Sequence, residues 1–176
     1  MISNTQGPAV SAGPITLLMN LVRRMDQASY WVVVAVMAAM AILVAAQVFF
    51  RYALSSSIDS ADELSRLFFV WSMFMAIPHG IKIGIHVGID LMVRQFSENL
   101  REFLFRLMSA ASAVLMVIVF YVTIFVTADK WQDLMPTIDV TAAVYYIPVL
   151  LSAGHSFLHL VVLTWGGSKI WQEASS

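Results

Sequence analysis

The sequence contains no cysteine and little charge. Without cysteine the chain has no disulfide, no thiolate metal site and no redox dithiol. Charged residues make up only 12% of the 176 residues and the formal net charge is −1, so no basic surface large enough to neutralise phosphates is present. Nucleic acid is therefore excluded as a partner. We find no internal repeat and no second domain.

Most residues of the chain are apolar. They make up 60% of the chain, and the mean hydropathy is +0.80. A chain of this composition is too apolar for a soluble domain and too short for many membrane crossings. We therefore expect an all-α integral membrane protein with four transmembrane helices, amphipathic interfacial helices and both termini in the cytoplasm.

Four segments have the roughly 20 apolar residues that a membrane crossing needs. The predicted spans are about 30–50, 64–85, 103–128 and 142–165. Residues 1–13 are predicted to be a disordered tail, and residues 14–170 a single four-helix membrane domain. Residues 1–29 lack the order of a cleaved signal peptide.

Two further segments, about 14–26 and 90–102, carry apolar residues at helical spacing beside charged ones. This pattern is typical of helices that lie in the membrane interface. Four arginines are expected to face phospholipid headgroups there: Arg23, Arg24, Arg94 and Arg101.

The lysines and arginines predict the orientation of the chain. With the amino terminus inside, seven of these ten side chains fall on the cytoplasmic face and three on the outer face. Both termini are therefore expected inside. The loop before span two and the loop before span four would then face outward and carry six of the eleven acids.

Residues 49–90 run from the end of span one, through a polar loop, to just beyond span two. Ser60 and Glu63 have the spacing of a capping box, while Asp62 and Glu63 stand at the positive end of the helix dipole. Arg66 lies on the same face as both acids and can pair with either. The second span is thus predicted to start at a charged cluster near the membrane surface.

This stretch resembles the small membrane subunit of the tripartite ATP-independent periplasmic (TRAP) transporters. The likeness rests on Arg51-Tyr52, Asp62-Glu63-Leu64 with Arg66, Trp71, and His86-Val87 with Asp90. The family suggests contact or structural roles for seven of these residues: Arg51, Asp62, Glu63, Arg66, Trp71, His86 and Asp90.

The resemblance also implies a function. The chain would be a non-catalytic scaffold in the bacterial inner membrane, bound to a large subunit that holds the substrate and sodium sites. A periplasmic binding protein would deliver an organic acid, such as a C4-dicarboxylate or a sialic acid, to the pair. Candidate docking residues are four acids of the outer loops: Asp59, Asp129, Asp133 and Asp139. They could instead be simply a solvated surface.

The spans themselves favour a supporting role. Carriers of polar solutes need charged groups or broken helices near the midplane, and spans one and three have no ionisable residue at their centres. We therefore expect no enzymatic activity and no cofactor in this chain.

The histidines leave one alternative open. His79 and His86 near the end of span two, with His155 and His159 in span four, could ligate a haem iron in a cytochrome b-type membrane anchor subunit. They could equally form hydrogen bonds between neighbouring helices.

Overall fold

The long apolar runs of the sequence fold into four α-helices in the computed structural model, which describes residues 14–56, 58–83 and 97–174. The side chains of residues 14–18, 82–83 and 166–174 are not part of that description. The helices are α1 (Pro14–Ala53), α2 (Ala61–Ile83), α3 (Glu98–Asp129) and α4 (Ile147–Ala174), and a short 3-10 helix, Ala142–Tyr145, precedes α4.

Four segments of the described chain are long and apolar enough to cross a membrane. They are Met19–Ala53, Ala61–Ile81, Glu98–Asp129 and Ala142–Trp165. The described residues form no strand beyond an isolated bridge between Leu134 and Thr141. The predicted all-helical class with four spans is therefore confirmed.

Helix α1 is longer than the predicted first span. It runs unbroken for 40 residues, and no proline or glycine follows Pro14 within it to interrupt its hydrogen bonds. Residues 14–26 therefore continue directly into the first span, and their position on the membrane surface stays a prediction. The helix ends where Ser55 takes a positive φ of 49° and the amides of Leu54 and Ser56 both donate to the carbonyl of Phe50.

The second predicted interfacial helix is described only in part. Residues 98–102 form the first turn and a half of α3, continuous with the third span. His86, Asp90 and Arg94 lie outside the described residues, as does the predicted tail 1–13.

The helices pack in a row. Helix α1 packs on α2, α2 on α4, and α4 on α3, and there is no extensive contact between α1 and α3 in the described chain. The centre of the row holds a small core of Ile81, Ala113 and Leu160, one residue from each of three helices. Ser109 and Ala113, two small residues one turn apart on α3, are both buried, as expected of a face that another helix approaches closely.

The two outer helices of the row keep large apolar side chains exposed. Examples are Ile42 and Phe49 on α1, and Tyr121 and Phe125 on α3. Small residues at four-residue spacing on α1, Ala35 with Ala39 and Ala41 with Ala45, are a pattern that predicts close helix contact. Ala39 is half-buried, whereas Ala35, Ala41 and Ala45 are exposed in the described chain. Inside a bilayer these surfaces meet lipid or another protein.

Along the helix axes the row has two ends, which we name the loop end and the termini end. The loop end contains residues 54–56, 58–60 and 130–146, and hydrogen bonds between Thr137 and Glu63 attach the second of these loops to the start of α2. The termini end contains the start of α1 and the ends of α2 and α4, and toward it Ser29 contacts His79 and Asp26 contacts His159. Both outer loops of the sequence prediction therefore lie on one side of the molecule.

Candidate functional site

The polar network at the loop end is centred on Glu63, in the first turn of α2. Its Oε2 atom accepts a hydrogen bond from the backbone amide of Thr137 at 2.9 Å and a second from the Thr137 hydroxyl. The carboxylate thus reaches across to the loop before the 3-10 helix, whereas the sequence pattern assigned it to a capping box. An acid in the first turn of a helix also lies at the positive end of the helix dipole.

Two aromatic side chains attach the same loop to α2. The indole Nε1 of Trp71 donates to the carbonyl of Val144 at 3.1 Å, and the hydroxyl of Tyr145 donates to the carbonyl of Glu63 at 3.2 Å. The Val144 carbonyl lies in the 3-10 helix, and the Glu63 carbonyl lies in the first turn of α2. Ala61 at the start of α2 and Ala143 in the 3-10 helix are fully buried. Trp71, predicted from the family likeness, is therefore a structural contact within this chain.

The loop also folds on itself. The hydroxyl of Thr141 donates to the carbonyls of Lys130 and Trp131, at 3.0 and 2.9 Å, and accepts from the amide of Ala143. The amide of Met135 donates to the carbonyl of Val140, and Met135 is buried. This closed loop gives its exposed acids a defined position.

Three of the candidate docking acids lie on that loop, and all are exposed: Asp129, Asp133 and Asp139. Lys130 bonds to Asp133 at 2.8 Å and lies 3.5 Å from Asp129. The hydrogen bond to Asp133, together with the charges of both acids, raises the pKa of Lys130 above its ordinary 10.5, so its ammonium stays charged at neutral pH. Asp59, the fourth candidate, is exposed on the neighbouring loop.

The remaining contact candidates of this region lie nearby on the surface. Asp62 accepts a hydrogen bond from the Nε2 atom of Gln47 at 2.8 Å, which links α2 to α1. Arg51, in the last turn of α1, and Arg66, on α2, are exposed. Gln47 is the one strongly polar residue of the predicted span one, and its bond to Asp62 explains why a polar group is tolerated there.

A second polar cluster lies at the termini end, and we name it the Asp26 cluster: Asp26, His155 and His159. The Nε2 atom of His159 lies 2.7 Å from Oδ1 of Asp26, and the Nε2 atom of His155 lies 3.1 Å from the same oxygen. All three residues are buried, with exposed fractions of 6%, 3% and 8% in the order named. They are the buried ionisable residues of the described chain.

Ser29 and His79 form a related contact one turn along α1. The Ser29 hydroxyl donates to the carbonyl of Asp26 at 3.1 Å, and its oxygen lies 2.9 Å from Nε2 of His79. Together the two contacts attach the amino-terminal half of α1 to the end of α2 and to the middle of α4.

Asp26 and Ser29 are not among the predicted site residues, because both precede the predicted first span. A usable signal is present in the sequence: an ionisable group within a membrane-spanning helix requires a partner. The two histidines of span four therefore indicate an acid on a neighbouring helix.

The described histidines do not have the arrangement that paired haem ligation requires. His155 and His159 are on one helix with ring centroids 5.0 Å apart, and both direct Nε2 to Asp26 of α1. His79 is directed to Ser29. Two axial histidines would instead face each other across a porphyrin plane. The contacts therefore favour hydrogen bonding between helices over haem ligation for these histidines.

The predicted lipid contacts are partly described. Arg23 and Arg24 are exposed on α1, and Arg101 is half-buried near the start of α3. All three lie toward the termini end, where basic residues would meet cytoplasmic headgroups in the predicted orientation.

These features define a class of protein before any comparison. The chain is a multi-pass membrane protein in which one polar network, centred on Glu63, attaches the loop before α4 to α2, and a second joins Asp26 of α1 to His155 and His159 of α4.

Comparison with known families identifies the class further. Residues 40–169 match the family model described as tripartite ATP-independent periplasmic transporters, DctQ component. The match covers most of the chain, which therefore belongs to this family and is a small permease component of a TRAP transporter in the inner membrane. The proposed resemblance is thus confirmed, and the haem alternative gives way to it. No curated protein matches the sequence.

Proposed function

We propose that this chain is the non-catalytic small subunit of a sodium-coupled TRAP transporter that takes up organic acids delivered by a periplasmic binding protein. Its task is to hold the large, substrate-carrying subunit in the membrane and to provide part of the surface on which the binding protein docks. The observation that carries the proposal is the match of residues 40–169 to the family model of the TRAP transporter DctQ component.

The surfaces of α1 and α3 support a scaffold role. A carboxylate substrate crossing the membrane must be met by opposite charge or by helix ends near the midplane. The middle of α1 and of α3 instead carries exposed apolar side chains, such as Met37 and Ile42 on α1 and Val117 and Ile118 on α3. One such face is free to pack on the large subunit while the other contacts lipid. Ala41 and Ala45 on α1 would let a partner helix approach closely.

The loop end supports a docking role. Exposed acids stand on a loop that Glu63, Trp71 and Tyr145 attach to α2, so their charges are presented at defined positions. Complementary charge on a partner steers its encounter and fixes its orientation. In the orientation with both termini inside, this end faces the periplasm.

The substrate is proposed from the family alone. C4-dicarboxylates, sialic acids and other carboxylates all fit, because the residues that select them would lie in the partner chains. The sodium sites would also lie in the large subunit.

Reconstitution in liposomes tests the proposal. The chain, its large subunit and their binding protein are combined in all pairings, and uptake of a labelled organic acid is measured with an inward sodium gradient. We expect uptake only when all three proteins are present. Uptake by this chain alone would overturn the non-catalytic role, and full uptake by the large subunit and binding protein without this chain would overturn the scaffold role.

Sodium coupling is tested in the same liposomes. Replacing the sodium gradient with an equal potassium gradient should abolish uptake. If uptake continues unchanged, the transporter is not sodium-coupled, whereas the subunit role of this chain would stand.

A further inference from the structure

We propose that the Asp26 cluster binds a divalent transition metal ion of the zinc class, which joins α1 to α4. This inference concerns the chain's own architecture and does not rest on the transport role. The ligand atoms of Asp26, His155 and His159 all lie within 4.8 Å of one another.

The local structure of α4 prepares the site. His155 and His159 are four residues apart on one helix, so their side chains stand one turn apart on the same face. Their rings are 5.0 Å apart and inclined by 33°, and both present Nε2 to α1. A pair of histidines at this spacing offers two nitrogen ligands without any rearrangement of the backbone.

Helix α1 supplies the third ligand. Asp26 is buried within α1 and presents Oδ1 to both imidazoles. Two imidazole nitrogens and one carboxylate oxygen suit zinc and its first-row neighbours, whereas calcium and magnesium prefer ligand sets made of oxygen alone. Three protein ligands leave a fourth position for water or for the second oxygen of Asp26.

The orientation of His155 distinguishes a metal site from a simple hydrogen-bonded pair. Its Nε2 atom is fully buried and lies 3.1 Å from Asp26 Oδ1, yet the geometry is not that of a hydrogen bond. In a hydrogen bond the N–H points at the acceptor, whereas the lone pairs of metal ligands converge on a point between them. A buried imidazole nitrogen is rarely left unsatisfied. The misalignment therefore favours convergence on an ion.

The distances set the adjustment that binding would require. Zinc bonds of about 2.0 Å in a tetrahedron place neighbouring ligand atoms ~3.3 Å apart. The distance from His155 Nε2 to Asp26 Oδ1 is already close to that separation, at 3.1 Å, and the distance from His159 Nε2 to the same oxygen, at 2.7 Å, would open slightly. The ligand atoms of the two histidines lie within 4.8 Å of each other, so they would need to converge on the ion by rotation of their side chains.

A metal ion here would have a structural consequence. Helix α1 packs mainly on α2 and only slightly on α4. An ion bound by Asp26 and the two histidines would fix the amino-terminal part of α1 directly to the central helix of the row.

Metal titration of the full chain tests the proposal. The protein is purified in mild detergent through a tag without histidines, stripped with EDTA, and titrated with Co²⁺, whose visible bands report four-coordinate geometry. Zn²⁺ then competes for the site. We expect one ion per chain, displacement of Co²⁺ by Zn²⁺, and a higher thermal midpoint with Zn²⁺ because the ion binds the folded state.

Conservative variants assign the ligands. Asp26→Asn and His159→Gln should each weaken Zn²⁺ affinity by more than the ~10–100-fold that loss of an outer-shell partner causes. Asp62→Asn, the same chemical change at an exposed acid of the loop end, should leave affinity unchanged. Size-exclusion chromatography shows whether each variant is folded.

The wild-type titration decides the matter first, so the test does not depend on the folding of any variant. If the stripped chain takes up neither Co²⁺ nor Zn²⁺ at one ion per chain, the cluster is a hydrogen-bonded contact and the proposal is wrong. Binding that survives in folded Asp26→Asn protein would overturn it equally.

Discussion

Thr137 donates two hydrogen bonds to the same carboxylate oxygen of Glu63, although 74 residues separate them in the chain. This contact is the polar link between the start of α2 and the loop that precedes α4. It also changes the interpretation of Glu63: a residue expected to cap its own helix or to contact a partner subunit is occupied within this chain.

Replacing Thr137 by valine should loosen that loop. The substitution keeps the shape of the side chain but removes one of the two donors to Glu63, and a hydrogen bond to a charged group contributes ~1.5–3 kcal/mol when buried and less where it is exposed, as here. We expect faster amide hydrogen exchange in residues 130–141. Thr137→Ser, which keeps the hydroxyl, is the control, and identical exchange in both variants would show that the hydroxyl contributes nothing.

Replacing Trp71 by phenylalanine should lower the thermal midpoint of the isolated chain. The ring stays apolar and aromatic, but the carbonyl of Val144 loses its donor, at a cost of about 1 kcal/mol. For a chain of this size the expected decrease is ~2–4 °C. Trp31→Phe is the matched control, because Trp31 is exposed on α1 and should show no decrease. Equal midpoints for the two variants would contradict the role assigned to Trp71.

Reversing the charge at Asp129, Asp133 and Asp139 together should weaken uptake that depends on the binding protein while leaving assembly with the large subunit intact. The decrease should be largest at low ionic strength, because salt screens exposed charges. Glu98→Lys, at an exposed acid of the termini end, serves as the control in the same liposomes. Unchanged uptake in the triple variant would assign these acids to a solvated surface.

Replacing Arg51 by glutamate should reduce co-purification with the large subunit. The side chain is exposed at the end of α1, whose outward face carries apolar residues available to a partner. Arg51→Lys keeps the charge but loses the planar guanidinium, so its effect separates simple charge from specific geometry. If Arg51→Glu lowers only the thermal midpoint of the chain, Arg51 is an interface anchor rather than a subunit contact.

Hydropathy and length were sufficient to predict the four helices, because a membrane crossing leaves a long apolar run that few other structures need. The ends of the helices were harder to predict from the sequence. The predicted division between residues 14–26 and span one rested on Arg23, Arg24 and Asp26, but charged residues alone do not break a helix. No proline or glycine follows Pro14 in α1, and the helix continues.

The contacts at the two ends of the row could not be read from the sequence. Glu63 had several partners within reach along its own helix, and nothing in the residues before α4 marked Thr137 as the donor to its carboxylate. Asp26 and His159 are 133 residues apart, and their contact depends on the order of helices in the row. Sequence periodicity predicts which face of a helix is apolar, but it does not predict which helix that face meets.

The row order also has a consequence for biosynthesis. Helix α4 is the last to leave the ribosome, yet both α2 and α3 pack against it, and α3 has no other extensive helix contact in the described chain. Newly inserted α3 therefore lacks its main partner helix within this chain until α4 enters the membrane between it and the α1–α2 pair. Premature termination within α4 would leave α3 without that partner, and quality-control proteases would meet it as an orphan helix.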